Sequence, residues 1–219
     1  MYPGPSIYGK CPTCQITIQR SSLASGNTFG AIYWTDGKMD AEMLPEYSAI
    51  VKCPDCRNLF WIEDAIVIGE YDWFRGEDFE APEEWKNAKS LIDPQIDDYI
   101  SAIEAKTFSD DSNREKYMRI RLWWLINDFV RYEDKQPDLF KKHRELFLNN
   151  LMHLDKLLGD NHDYEKLMKA EISRELGHFD LCVDRLKGVS TASKDEGIQI
   201  YQFAQRKSQI VQCLKISQD

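Results

Sequence analysis

Hydrophobic and polar residues alternate in the first third of the chain and recur at helical spacing after it. Gln15 to Ile18 (QITI) switches between polar and apolar at every step, as a strand with one buried face does. Thr28 to Trp34 is rich in β-forming residues and runs into Asp36-Gly37, a turn pair, so this stretch reads as part of a hairpin. Asn58 to Ile68 (NLFWIEDAIVI) is again β-branched and aromatic, with an acidic interruption. Residues 1–69 are expected to fold as a small antiparallel β module built from hairpins.

From Asp93 onward the spacing is helical. Asp93-Pro94 has the form of an N-cap followed by proline at the first helical position, and Ile96, Ile100 and Ile103 share one face of the helix it opens. A second helix is expected from the region of Ser109 to Ser112 as far as Arg131. Its centre, MRIRLWWLINDFV, is apolar on nearly every side, which predicts the buried middle of the domain. A third follows Pro137, with Phe140, Phe147, Leu151, Leu154 and Leu158 on one face before a stop at Gly159. The fourth, fifth and sixth are expected over 163–176, 179–189 and 194–216, with Gly177 and Gly188 as C-caps of the first two. The expected fold class is therefore α+β: the β module, then an all-α array of about six helices over 93–219.

Charge sharpens the division. The net charge of -9 lies entirely in residues 63–98, where twelve acids face three bases, while the flanking segments balance. No segment is strongly basic, which removes the electrostatic footprint of non-specific nucleic-acid binding. Residues 70–92 are thus an acidic connector, but one that also carries Tyr71, Trp73, Phe74, Phe79 and Trp85. Flexible linkers are poor in aromatics, so the stretch from Glu63 to Trp85 is expected to be ordered and to fix the orientation of the two halves, with its acids open to a basic partner. A hydrophobic fraction of 42% is enough for a real core and excludes disordered and fibrous classes. No apolar run approaches the roughly 20 residues that cross a bilayer, and the N-terminal MYPGPSIYGK has no apolar signal core, so a soluble cytoplasmic chain is expected.

Four of the six cysteines form two pairs, CPTC at Cys11 to Cys14 and CPDC at Cys53 to Cys56. Two tight turns that each aim two sulfurs at one ion suit tetrahedral zinc, and four thiolates leave no coordination position for chemistry. Iron suits four sulfurs too, but electron transfer does not explain a long helical domain; a redox CxxC expects a βαβ setting, absent here. The residues resemble the zinc-ribbon and rubredoxin-like knuckle over residues 1–65. They depart from it in carrying Gln15 and Arg57 where that family has glycine, and in a gap of 38 residues that implies an inserted hairpin at about Gly26 to Met43. A zinc ion with four thiolates carries about -2, offset in part by Lys10, Lys52 and Arg57. Phe29, Tyr33, Trp34 and Trp61 are read as core of this small stapled domain; in a nucleic-acid-binding ribbon they would be stacking platforms, but the bases are too few.

Residues 170–189 (AEISRELGHFDLCVDRLKGV) resemble the inter-helix portion of a tetratricopeptide repeat through Ala170, Leu176, Gly177, Phe179, Asp180, Cys182 and Leu186. That likeness implies helix-pair packing over about one repeat. Cys182 and Cys213 are read as small core residues. Trp123 and Trp124 point about 100° apart on a helix, so at least one is core. Arg121, Asp128 and Arg131 fall on one side and form either a surface for a carboxylate, phosphate or partner, or an internal ion-pair network. His143, His153, His162 and His178 lack metal spacing, and no nucleophile, phosphate-loop or dinucleotide motif is present. As a whole the chain resembles bacterial cytosolic proteins that join a ribbon-like module to a helical, repeat-like domain. The expected function is non-catalytic: a zinc-binding interaction or scaffold module whose partner is another protein. A ribbon that binds nucleic acid, or an enzyme with a cleft between ribbon and helices, is the alternative.

Overall fold

Residues 1–72, 81–107 and 111–215 are described by a computed structural model of the chain, which is mixed α+β. Its strands are β1 (Tyr2–Pro3), β2 (Ser6–Lys10), β3 (Thr17–Arg20), β4 (Leu23–Ser25), β5 (Ile32–Trp34), β6 (Met39–Asp40), β7 (Ile50–Lys52), β8 (Leu59–Trp61), β9 (Ile66–Tyr71), β10 (Lys89–Ser90) and β11 (Cys213–Leu214). Its helices are α1 (Glu83–Lys86), α2 (Ile96–Glu104), α3 (Ser112–Arg131), α4 (Pro137–Lys142), α5 (Arg144–Leu157), α6 (Asp163–Glu175), α7 (Phe179–Leu186) and α8 (Lys194–Gln205). The chain forms two compact units, Met1–Gly30 with Ala41–Asp98, and Ala31–Asp40 with Tyr99–Asp219. The expected boundaries at residues 69 and 92 are not where the units divide. The N-terminal unit keeps α1 and β10 from the connector, and the hairpin at 31–40 belongs to the helical unit.

In the N-terminal unit only Thr17 and Ile18 of the expected QITI strand belong to β3, with Ile18 buried, while Gln15 and Ile16 close the first cysteine turn. The main sheet has the order β10-β3-β2-β9. β2 pairs antiparallel with β3 (Gly9 opposite Ile18) and with β9 (Ser6 opposite Tyr71), while β10 joins β3 in parallel. β7 and β8 make a separate hairpin, as do β1 and β4. Trp85 of α1 stacks on Tyr8 with ring centroids 4.6 Å apart, and lies so close to Gly69 that any Cβ there would strike the indole. Both ends of the acidic connector therefore belong to this unit's sheet. Trp73, Phe74 and Phe79 lie outside the described residues.

In the helical unit α3 is the buried centre that its all-round apolarity predicts, with Met118, Leu122, Trp123 and Ile126 inaccessible. It packs against α4 and α5, and α6 packs against α7 and α8. The expected third helix is two, α4 and α5, because the backbone at His143 leaves helical geometry (φ -95°, ψ 7°). The expected sixth helix stops at Gln205 rather than 216. Lys207 takes a left-handed φ of 51°, and the amides of Lys207 and Ser208 turn back to the carbonyls of Ala204 and Phe203. The chain then runs out as β11, which pairs antiparallel with β5 and completes a sheet of order β11-β5-β6. Cys213 is consequently exposed on β11 and not core, whereas Cys182 is buried. At the first helix, Asp98 and not Asp93 caps, accepting the Gln95 amide at 3.0 Å. No helix among the described residues is long and apolar enough to cross a membrane.

Candidate metal centre

The two cysteine turns are built alike. After Cys11-Pro-Thr-Cys14 the amide of Gln15 donates to the Cys11 carbonyl at 3.0 Å, and the Cys11 amide donates to Ile16 at 3.1 Å. After Cys53-Pro-Asp-Cys56 the amide of Arg57 donates to the Cys53 carbonyl at 3.2 Å, and the Cys53 amide donates to Asn58 at 3.0 Å. Closing each turn this way requires a positive φ at the residue after the second cysteine, and Gln15 and Arg57 adopt it at 63° and 64°. The missing glycines have not changed the turn; two side-chain-bearing residues take the left-handed conformation at a cost of about 1–2 kcal/mol each.

The turns bring four sulfurs together. All four lie within 4.8 Å of one another, with Cys14 to Cys53 at 3.7 Å and Cys11 to Cys56 at 3.9 Å. A tetrahedron of sulfurs about 2.3 Å from a central ion has edges of about 3.8 Å, so the set is sized for one thiolate-bound metal. Cys11 and Cys53 are fully buried in an apolar cluster with Ile18, Val51 and Phe60, against which Cys14 and Cys56 pack. The site is the core of its unit. The thiols differ in acidity: a hydrogen bond from the Ile16 amide brings Cys14 down to about 7, and burial pushes Cys53 up to about 12.

Of the bases expected to offset the cluster's charge, Lys10, Lys52 and Arg57, the first two are engaged elsewhere, as is Lys89 nearby. Lys10 donates to Glu84 at 2.8 Å, Lys52 to Asp98 at 2.6 Å, and Lys89 to Asp55 at 3.0 Å. The four aromatics do not share one core: Trp61 is buried in this unit, Trp34 is buried in the helical unit, and Phe29 is 83% exposed.

Arg121, Asp128 and Arg131 do lie along one side of α3, but they are not one surface. Arg131 is fully buried, donating to both carboxylate oxygens of Asp36 at 3.0 and 2.5 Å and to Asp128 at 2.8 Å. Burial works against its charge, and Asp36 more than restores it, raising the guanidinium pKa. Asp128 also accepts from Lys38 at 2.9 Å, and the Arg121 guanidinium lies 5.4 Å from the Trp124 ring. The network extends to Trp123 and Asn127, which the sequence places beside these residues on α3, and to Glu171, Arg174 and Glu175, which it does not single out. Asn127 donates to Asp36 at 2.9 Å and to Glu175 at 3.2 Å, Trp123 donates to Glu175 at 2.6 Å, and Arg174 pairs with Glu171 at 2.5 Å. Glu171, Arg174 and Glu175 sit three and four apart on α6, a spacing indistinguishable in sequence from a solvated helix face. Burial, then the charge of Glu171, holds the Glu175 carboxyl well above the usual range. No family model, curated protein or solved structure matches the chain.

Proposed function

We propose that the chain is a zinc-binding, non-catalytic interaction or scaffold protein whose ion is structural. The observation that carries this reading is the sulfur set itself, four thiols on two matching turns, at tetrahedral spacing and at the centre of a unit's core. A shell filled by four protein thiolates leaves no place for a reacting group, and thiolates in reduced form suit a cytoplasmic setting. Pairing of Lys10, Lys52 and Lys89 with acids weighs against nucleic acid as the partner and favours protein. The α6–α7 pair, joined at Gly177 and packed through Ala170 and Cys182, suits the repeat-like helix pairing that the sequence suggests for such contacts.

Protein produced in medium containing both zinc and iron should carry about one zinc per chain and no visible absorption. Stoichiometric iron, with its thiolate charge-transfer bands, would replace the zinc assignment, and near-zero metal in a fully reduced sample would end it. Affinity capture from native extract followed by mass spectrometry should recover a specific protein. Turnover in a substrate screen with no specific partner recovered would overturn the scaffold reading in favour of an enzyme.

A further inference from the structure

A cavity of about 260 Å³ opens on the N-terminal unit. Val51, Ile62 and Leu91 line it, and these same residues belong to the apolar cluster that packs around the cysteines, so its floor is the back of the metal centre's core. Among the described residues its only charged lining groups are Arg20, from the end of β3, and Asp93. Among the described residues the Arg20 guanidinium and the Asp93 carboxylate take part in no hydrogen bond or ion pair, with each other or with any other group. This sets them apart from the nearby lysines, each held by an acid. Among the described residues the hydroxyls of Ser21 and Tyr47, which also line it and are exposed, are equally unengaged.

A recessed space with apolar lining and a few polar groups free to take a ligand is the form a small-molecule site takes, and this one lies just below the usual size range. The choice of ligand follows from charge. One guanidinium presents a fork of donors that matches a carboxylate, and one carboxylate offers acceptors to an ammonium. A phosphate would gain the first and be repelled by the second. We propose that the cavity binds a zwitterionic α-amino acid with an apolar side chain, its carboxylate on Arg20, its ammonium on Asp93 and its side chain over Val51, Ile62 and Leu91.

The test titrates the full, metal-loaded chain with L-leucine and L-phenylalanine, following backbone amide shifts, with metal content measured on the same sample. Saturable shifts are expected at Gln19, Arg20, Leu91 and Asp93. Removing either charge from the ligand, as in 3-methylbutylamine or 4-methylpentanoate against leucine, should weaken binding about tenfold or more. Arg20→Gln should erase the difference between leucine and the amine, and Asp93→Asn the difference between leucine and the acid, with amides remote from the cavity and the metal content unchanged. No saturable shift with either amino acid, equal binding by the singly charged analogues, tighter binding by inorganic phosphate, or full binding by the variants would each overturn the proposal. A sample that carries one metal per chain yet binds no amino acid refutes this site and leaves the metal assignment standing.

Discussion

At the centre of the N-terminal unit are Cys11 and Cys53, wholly buried among Ile18, Val51 and Phe60; at the centre of the helical unit are Asp36, Glu171, Arg174 and Glu175, equally buried beside Trp123 and Ile126. Both interiors contain groups that interact poorly with hydrocarbon, and each resolves the conflict differently. In the first, the polar groups are gathered around a single point, so that one ion from solution satisfies all of them at once. In the second, acids and bases satisfy one another, and burial raises the pKa of the Glu175 carboxyl among them. The difference teaches where each unit's vulnerability lies. On the proposed reading the first depends on an ion supplied from outside and tolerates no missing ligand, whereas the second is satisfied by its own side chains and its weak point is pH.

The largest effect should come from Cys53→Ser. Structural zinc binding contributes on the order of 10 kcal/mol, so the variant's N-terminal unit should lose its dispersed amide signals while helical circular dichroism persists. Concerted loss of both would erase the contrast between a metal-dependent and an autonomous unit. Asp36→Ala is next: it removes the two-pronged partner of buried Arg131, leaving it only Asp128, and should cost about 3 kcal/mol in urea denaturation, with metal stoichiometry unaffected. An effect below about 1 kcal/mol would mean that the network contributes little to holding the hairpin.

Glu175→Gln tests the raised carboxyl pKa. Because burial raises the carboxyl's pKa in the folded state, the native chain holds more protons than the unfolded one between the two pKa values. Wild-type stability should therefore fall as pH rises from about 4.5 through the folded value, by about 1.4 kcal/mol per pH unit from this group. The amide cannot ionise, so the variant should lose that slope and gain relative to wild type at pH 9. An unchanged slope in paired denaturation series would show that Glu175 ionises freely. The smallest effect belongs to the knuckles: Gln15→Gly or Arg57→Gly should stabilise the N-terminal unit by about 1 kcal/mol through relief of the left-handed backbone, seen as greater resistance to a zinc chelator.

These contrasts also mark what could be read from the residues alone. The metal centre was legible because each half is encoded within four consecutive positions, and tight turns with proline leave little choice of where the sulfurs point. The strands around Ile18 and Phe60, and the long α3, were legible from periodicity. The destination of the Asp36-Gly37 hairpin was not. Its turn is local, but what holds it is Arg131, Asn127 and the amide of Gln212, remote in sequence and chosen by packing. The same holds for Cys213, whose apolar neighbours fit a helix as well as a strand until Lys207 turns the chain. Glu171, Arg174 and Glu175 look like surface until α6 is known to be covered on that side.

The pairing of β5 with β11 has a consequence for biosynthesis. The second cysteine pair leaves the ribosome once residue 56 is clear, and the sulfurs can be clipped soon afterwards. Ile32 to Trp34, already made by then and paired on one side with Met39 and Asp40, must await Cys213 and Leu214 for its second neighbouring strand. At about 5–20 residues per second that interval is roughly 10–30 s. Throughout it the nascent chain displays a hairpin with one strand edge unpaired and bearing Trp34, and for the first half of it the Asp36 carboxylate has no Arg131 guanidinium to pair with. Slow translation downstream of residue 56 would lengthen that exposure, making this hairpin the stretch of nascent chain most in need of a holdase.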